Sequence, residues 1–243
     1  TMTMFSLKGK KAIVTGGGLG IGSAGAKELA SQGASVTIMD IDQDAAESTV
    51  SEIRERGGTA FSVIGDASLS LDCERTVSEC VSQFKGLDIL FNNVGIQPIS
   101  SYANVENTTE EMWDRILDVN LKSCFLMSKY TIPEMRKRGG GAIVNTASVQ
   151  GLQSMKLVPA YAASKGGILS LTRQMALDYA SENIRVLAVC PGSIDTEMLR
   201  TSAAMEGGDI DATIRKYGSG HPLGRIGTGQ DIANVVLFLA SDK

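Results

Sequence analysis

Lys11-Ala-Ile-Val-Thr15 runs straight into Gly16-Gly-Gly-Leu-Gly-Ile-Gly22, and Ser23 to Ser31 follows with alanine-rich helical spacing. The short apolar run bounded by glycines predicts an interior strand. A glycine loop between a strand and a helix is a setting for phosphate binding: the backbone can approach a pyrophosphate, and the helix start offers free amides with partial positive charge. A literal GxGxxG occurs at Gly20, Gly22 and Gly25, but it starts five residues after the strand ends. The spacing TGxxxGxG at Thr15, Gly16, Gly20 and Gly22 begins at the strand terminus and fits better. A tight turn needing positive φ accounts for one glycine, not for five.

Working outward, Ser35-Val-Thr-Ile-Met39 predicts a second strand with Asp40 at its end. In a Rossmann unit an acid there accepts hydrogen bonds from the adenosine ribose hydroxyls and repels a 2′-phosphate. Asp42 and Asp44 follow, and no Lys or Arg lies in the glycine loop or just after Asp40, so the expected cofactor is NAD(H) rather than NADP(H). Asp42 is free to cap the next helix, Gln43 to Arg56. Thr59 to Val63 predicts a third strand ending near Asp66, Ser70 to Phe84 an amphipathic helix, and Asp88 to Asn92 a fourth strand running into Asn92-Asn-Val-Gly95. Asn183 to Val189 predicts a sixth strand, again followed by a glycine turn at Pro191-Gly192. Strands alternating with helices predict an α/β, Rossmann-like, doubly wound parallel sheet with helices on both faces, one domain over residues 1–243.

The 43% hydrophobic and 21% charged content is ordinary for a globular chain. A net charge of −4 gives no electrostatic reason to expect nucleic acid or an anionic membrane as partner. No apolar run approaches a membrane span, and Thr1 to Lys10 has neither an apolar core nor a cleavage site, so the expectation is a soluble cytoplasmic protein. Cys73, Cys80, Cys124 and Cys190 show no CxxC spacing, and with a single histidine they predict buried thiols and no metal site. That histidine, His221, stands before Pro222 and reads as a loop residue.

A second group of residues carries possible chemistry. Gly141 to Ala147 reads as a buried strand, with Ser148 following it. Tyr161 and Lys165 are four apart, on one face of a helix that runs to about Tyr179. A phenol ionises near ~10, and a fixed ammonium beside it would lower that value, giving a group able to lose and return a proton. The plainer reading is an amphipathic pair with a snorkelling lysine. Thr108-Thr-Glu-Glu111 has the look of a capping box opening a helix to about Arg136, with Asn120 inside it among Leu117, Val119, Leu121 and Phe125. Thr196 to Gly220 lacks a clean period and suits a mobile lid over the substrate. Thr228 is expected to cap a last helix, Asp231 to Leu239.

Taken together, these residues resemble the short-chain dehydrogenase/reductase family from Leu7 to Lys243. TGGGLGIG is similar to the family's TGxxxGIG, NNVG to NNAG with Val94 for Ala, and PGSIDT to PGxxxT. Asn120, Ser148, Tyr161 and Lys165 resemble its catalytic tetrad. The resemblance implies Tyr161 as acid/base, Ser148 orienting the substrate oxygen, and Asn120 holding a water that links Lys165 to solvent. Lys165 would lower the pKa of Tyr161 and hold the nicotinamide ribose. It further implies a pyrophosphate loop at Gly16, Leu19, Gly20, Ile21 and Gly22, and adenine contacts at Asp66 and Ala67. Asn93 and Gly95 would line the adenosine side, Thr196 would hold the carboxamide, and Pro191, Gly192 and Ile194 belong to the nicotinamide loop. The family pattern goes on, beyond the position that matches Lys243, to a last strand and a DGG-containing tail that help build a subunit interface in family members. The helices around Asn120 and Tyr161 usually form a dimer contact, implying a homodimer or homotetramer.

The leading expectation is an NAD-dependent oxidoreductase acting on a small-molecule secondary alcohol or ketone. Gln97, Gln150, Gln153, Met155, Val158, Met198 and Tyr217 are candidate pocket residues whose mixed polarity leaves a polyol, a sugar and a cyclic alcohol open. Val149 to Val158 is a candidate substrate wall. An epimerase/dehydratase would want a longer chain, and an enoyl reductase a longer Tyr-to-Lys spacing. The alternative of another class is an NAD(H)-binding sensor or scaffold, a use the fold alone permits.

Overall fold

The computed structural model describes residues 5–242; Thr1 to Met4 and Lys243, the ends of the region read above, lie outside it. Six parallel strands form one sheet: β1 (Lys11–Thr15), β2 (Ser35–Asp40), β3 (Thr59–Ile64), β4 (Ile89–Asn92), β5 (Gly141–Thr146) and β6 (Ile184–Val189). Their order is β3-β2-β1-β4-β5-β6, so the chain reverses its direction of travel between β1 and β4. Ligands of open α/β sheets bind at such a reversal, beyond the carboxyl ends of the strands.

The strand period of two distributes the core between two layers. Ala12, Val14, Val36, Ile38, Ile89, Phe91 and Val144 face one side. There they pack against α1 (Gly20–Ser31), α2 (Gln43–Glu55) and α9 (Gly229–Ala240). Ile13, Met39, Leu90 and Ile143 face the other. That side is covered by α3 (Ser70–Phe84), α5 (Ser123–Lys137) and α6 (Pro159–Tyr179). Apolar burial on both faces explains why the strands read as continuous hydrophobic runs.

Two segments depart from the sequence expectation. The helix expected from Thr108 to Arg136 starts as α4 (Glu110–Leu117), widens into a π turn at Asp118–Lys122, and resumes as α5. Its cap is Thr109, which accepts from the Met112 amide, because Thr108 closes the preceding turn by donating to the Asn104 carbonyl. The expected irregular lid folds as two helices, α7 (Glu197–Met205) and α8 (Ile210–Ser219). Gly207 and Gly208, both at positive φ, separate them, and this break obscured the helical period. The last helix begins where expected, with Thr228 and Asp231 forming a reciprocal capping box.

Candidate active site

The glycine loop leaves β1 with Gly16 at φ +61°, a left-handed value that favours glycine. Gly22 lies so close to the Gly16 carbonyl oxygen that any Cβ would clash with it. Helix α1 begins at Gly20 rather than Ser23, and its N-cap, Leu19, supplies no side-chain acceptor. The first-turn amides of Gly20, Ile21 and Gly22 therefore start without side-chain capping, which suits a phosphate. Asp40 is half-buried at the end of β2. Its carboxylate accepts from the Gly18 amide at 2.9 Å and from the Asp42 amide at 3.1 Å, so it also props the loop. Asp42 in turn caps α2.

Beside the loop, the Thr15 hydroxyl accepts from the amides of Asn93 (3.0 Å) and Val94 (3.3 Å), and the Asn93 side chain donates to the Gly16 carbonyl. Asp66 accepts from the amide and hydroxyl of Ser68, and Ala67 is buried. Thr196 caps α7 and stands across from Gly20. Pro191 is buried, Gly192 is exposed beneath the His221 ring, and Ile194 bridges to Gly227. A cleft of about 570 Å³ opens on the outer side of the loop between α1 and α2, with Lys27, Glu52 and Arg56 in its walls. It lies at the phosphate end rather than beside Tyr161.

At the other end of the crevice, Ser148 is buried just past β5, and its hydroxyl accepts from the Gln150 amide at 3.1 Å. Tyr161 sits in the first turn of α6, which Pro159 opens with its ring-fixed φ. Lys165 follows one turn later. Burial holds the Tyr161 phenol above its usual value, and the Ser148 hydroxyl works the other way with a smaller effect. Lys165 is 3% exposed. Its Nζ donates to the Thr146 carbonyl at 2.8 Å and lies 5.6 Å from the centre of the Tyr161 ring. Burial pulls its pKa down to about 8. Desolvation thus opposes the charge on both groups, and the phenol lies above its usual value rather than below it as expected.

Asn120 sits in the π turn and is fully buried. Its Oδ1 accepts from the Ile96 amide at 2.7 Å, while Nδ2 donates to the Ile96 carbonyl and to the Ser164 hydroxyl. Ser164 donates to the Tyr161 carbonyl. Asn120 therefore ties the loop after β4 to the turn of α6 that carries Tyr161. Gly95 lies in the same loop, where a Cβ would stand 3.3 Å from Lys165 Nζ.

Cys73, Cys80 and Cys124 are buried and Cys190 is partly so, all as free thiols. No set of three His, Cys, Asp or Glu side chains among the described residues is placed to hold a metal. No helix among them is long and apolar enough to cross a membrane.

Among the candidate pocket residues, Gln97 is half-buried, whereas Gln153 and Met155 are exposed. Gln150 spends its side-chain oxygen on the Met155 amide. Sequence reasoning missed a buried ladder in which Asn92 donates to Asn145 and Asn145 to Thr172, each at 2.9 Å. Asn at the same register of adjacent strands was its available signal. It also missed Tyr102, whose hydroxyl donates to Ser202 a hundred residues away; no local pattern announces such a contact.

The sequence model described as short chain dehydrogenase matches residues 10–207. An uncharacterized oxidoreductase of Thermotoga maritima is 40% identical over 240 residues, covering 98% of this chain and 92% of its own. The cyclohexanol dehydrogenase of Acinetobacter sp. (strain SE19) is 40% identical over 233 residues, covering 96% of this chain and 88% of its own. The crystal structure of levodione reductase superposes with a TM-score of 0.92 at 31% identity, covering 97% of this chain and 92% of that one. With the parallel sheet, the glycine loop and the full-length similarity in agreement, the chain belongs to the short-chain dehydrogenase family.

Proposed function

We propose that this protein is an NAD(H)-dependent oxidoreductase that interconverts a secondary alcohol and its ketone, with Tyr161 as the acid/base. The family assigns it to the oxidoreductases that use a nicotinamide cofactor and a small-molecule substrate. The observation that carries the finer reading is the meeting of Ser148, Tyr161 and Lys165 beyond β5, at the opposite end of the crevice from the glycine loop.

The residues fit a dinucleotide. A Cβ at Gly22 would fill the cradle against Gly16, the first-turn amides of α1 suit a pyrophosphate, and Asp40 suits a ribose diol. Asp66 and Ala67 would meet the adenine, Asn93 and Gly95 the adenosine side, and Pro191, Gly192, Ile194 and Thr196 the nicotinamide. Preference for NAD over NADP rests on the Asp40 carboxylate, which opposes a second phosphate.

In alcohol oxidation Tyr161, as phenolate, takes the hydroxyl proton, while Ser148 donates to the same oxygen and holds it in line. A nicotinamide held by these residues would supply the redox chemistry, as the acceptor of the hydride on the carbinol carbon. In reduction Tyr161 returns its proton to the carbonyl oxygen. The Lys165 ammonium stabilises the phenolate, and Asn120 keeps the loop and helix aligned, with a water at Asn120 as the proposed proton exit. Phe125 and Leu177, exposed on α5 and α6, favour pairing of two copies as a homodimer or within a homotetramer.

The test is a screen of purified protein with NAD⁺ against polyols, sugars and cyclic secondary alcohols, followed by reduced-nicotinamide absorbance. Turnover that Tyr161→Phe removes supports the reading; a panel with no turnover overturns it.

A further inference from the structure

The loops after β4 and β6 flank β5, the strand that leads to Ser148. Tyr102, on the loop after β4, donates to the Ser202 hydroxyl of α7, after β6, at 3.0 Å. This contact therefore bridges the two sides of the crevice. The same loop is fastened next door, where the Ala103 amide donates to the Leu157 carbonyl at 3.1 Å just ahead of α6.

In this contact the Tyr102 hydroxyl is the donor, so its proton is directed at Ser202 while the phenolic oxygen keeps a lone pair for a second partner. Tyr102 is half-buried at the point where the two sides of the crevice are joined, which leaves its oxygen a place for one more hydrogen bond.

We infer that Tyr102 determines specificity: its phenolic oxygen, with its proton held by Ser202, accepts a hydrogen bond from a second hydroxyl on the substrate and so favours a diol over the matching mono-alcohol. This rests on the proposed alcohol–ketone chemistry. A hydroxyl acceptor in place before the substrate arrives discriminates strongly against an analogue lacking the partner group.

The experiment compares kcat and KM for trans-cyclohexane-1,2-diol and cyclohexanol, with NAD⁺, in the wild type, Tyr102→Phe and Ser202→Ala. In Tyr102→Phe the ratio of kcat/KM, diol over cyclohexanol, is expected to fall by about tenfold or more, chiefly through KM for the diol. Ser202→Ala releases the phenolic proton and should lower the same ratio by a smaller factor. It also serves alone if Tyr102→Phe does not fold. A purely structural role would depress both substrates alike, and an unchanged ratio in the folded variants overturns the inference. Wild-type turnover of cyclohexanol without the diol also overturns it, leaving the proposed function standing. Absence of turnover with either substrate or the wider alcohol panel overturns both.

Discussion

Lys165 Nζ donates to the main-chain carbonyl of Thr146 at 2.8 Å instead of to the phenol of Tyr161, whose ring centre is 5.6 Å away. The ammonium is anchored to the end of β5 and faces the Tyr161 ring rather than hydrogen-bonding its hydroxyl. This arrangement separates what each residue contributes, and the separation is measurable.

Tyr161→Phe removes the proton donor and acceptor while keeping the ring that packs in the first turn of α6. Turnover should fall by about 10²–10⁴-fold, while the affinity for NADH, read by its fluorescence, changes little. In the wild type, with chemistry rate-limiting, alcohol oxidation should accelerate as pH rises, because the phenolate accepts the proton. Retained turnover in the phenylalanine variant excludes Tyr161 from the role.

Lys165 has a second consequence, for stability. Its pKa is held down to about 8 by burial, against about 10.4 in an unfolded chain. Between those values the unfolded chain keeps a proton that the folded protein has released, so the fold gains stability as pH rises through this window and loses it on the way back down. Lys165→Met lacks the gain. Denaturant titrations at pH 7.5 and pH 10 should show the wild type improving relative to the variant by on the order of 3 kcal/mol. A constant difference would mean that the buried ammonium is not destabilised.

Asp40→Ala should weaken NAD(H) binding and relax the discrimination against NADP(H), read as the ratio of kcat/KM for the two cofactors. Because Asp40 also accepts from the Gly18 amide, part of the loss should appear as a looser glycine loop, with faster amide exchange at Gly18. An unchanged cofactor ratio would show that the carboxylate does not meet the ribose.

Gly22→Ala puts a methyl group into the Gly16 carbonyl oxygen. Main-chain atoms on both sides leave little room to adjust, so a loss of about 1–3 kcal/mol in stability is expected together with a severe loss of dinucleotide affinity. Calorimetric binding of NADH near the wild-type value would contradict the cradle.

Most of the fold was readable because each strand is a short apolar run punctuated by glycine, proline or an acid, and several helices carry their own cap. Asp42, Thr228 and the run from Ser70 to Phe84 illustrate this: local residues alone specify those boundaries. The placement of Ser148, Tyr161 and Lys165 was readable for a different reason, since one strand end and one helical spacing bring them together. What escaped depends on distance or on backbone detail. The Asn92–Asn145–Thr172 ladder and the Tyr102–Ser202 contact join residues far apart in sequence. The helical hairpin at 197–219 was masked by its paired glycines, and the pKa of Tyr161 by burial that composition does not reveal.

The wide turn at Asp118–Lys122 closes one residue later than an ordinary helical turn. Deleting a single residue there would tighten the bulge to an ordinary α turn and take the clasping amide of Asn120 off its loop. Chain length across this window is therefore constrained in a way that no substitution can relieve. Chimeras made with homologous enzymes should survive crossovers on either side of it and fail when the count of residues inside it changes.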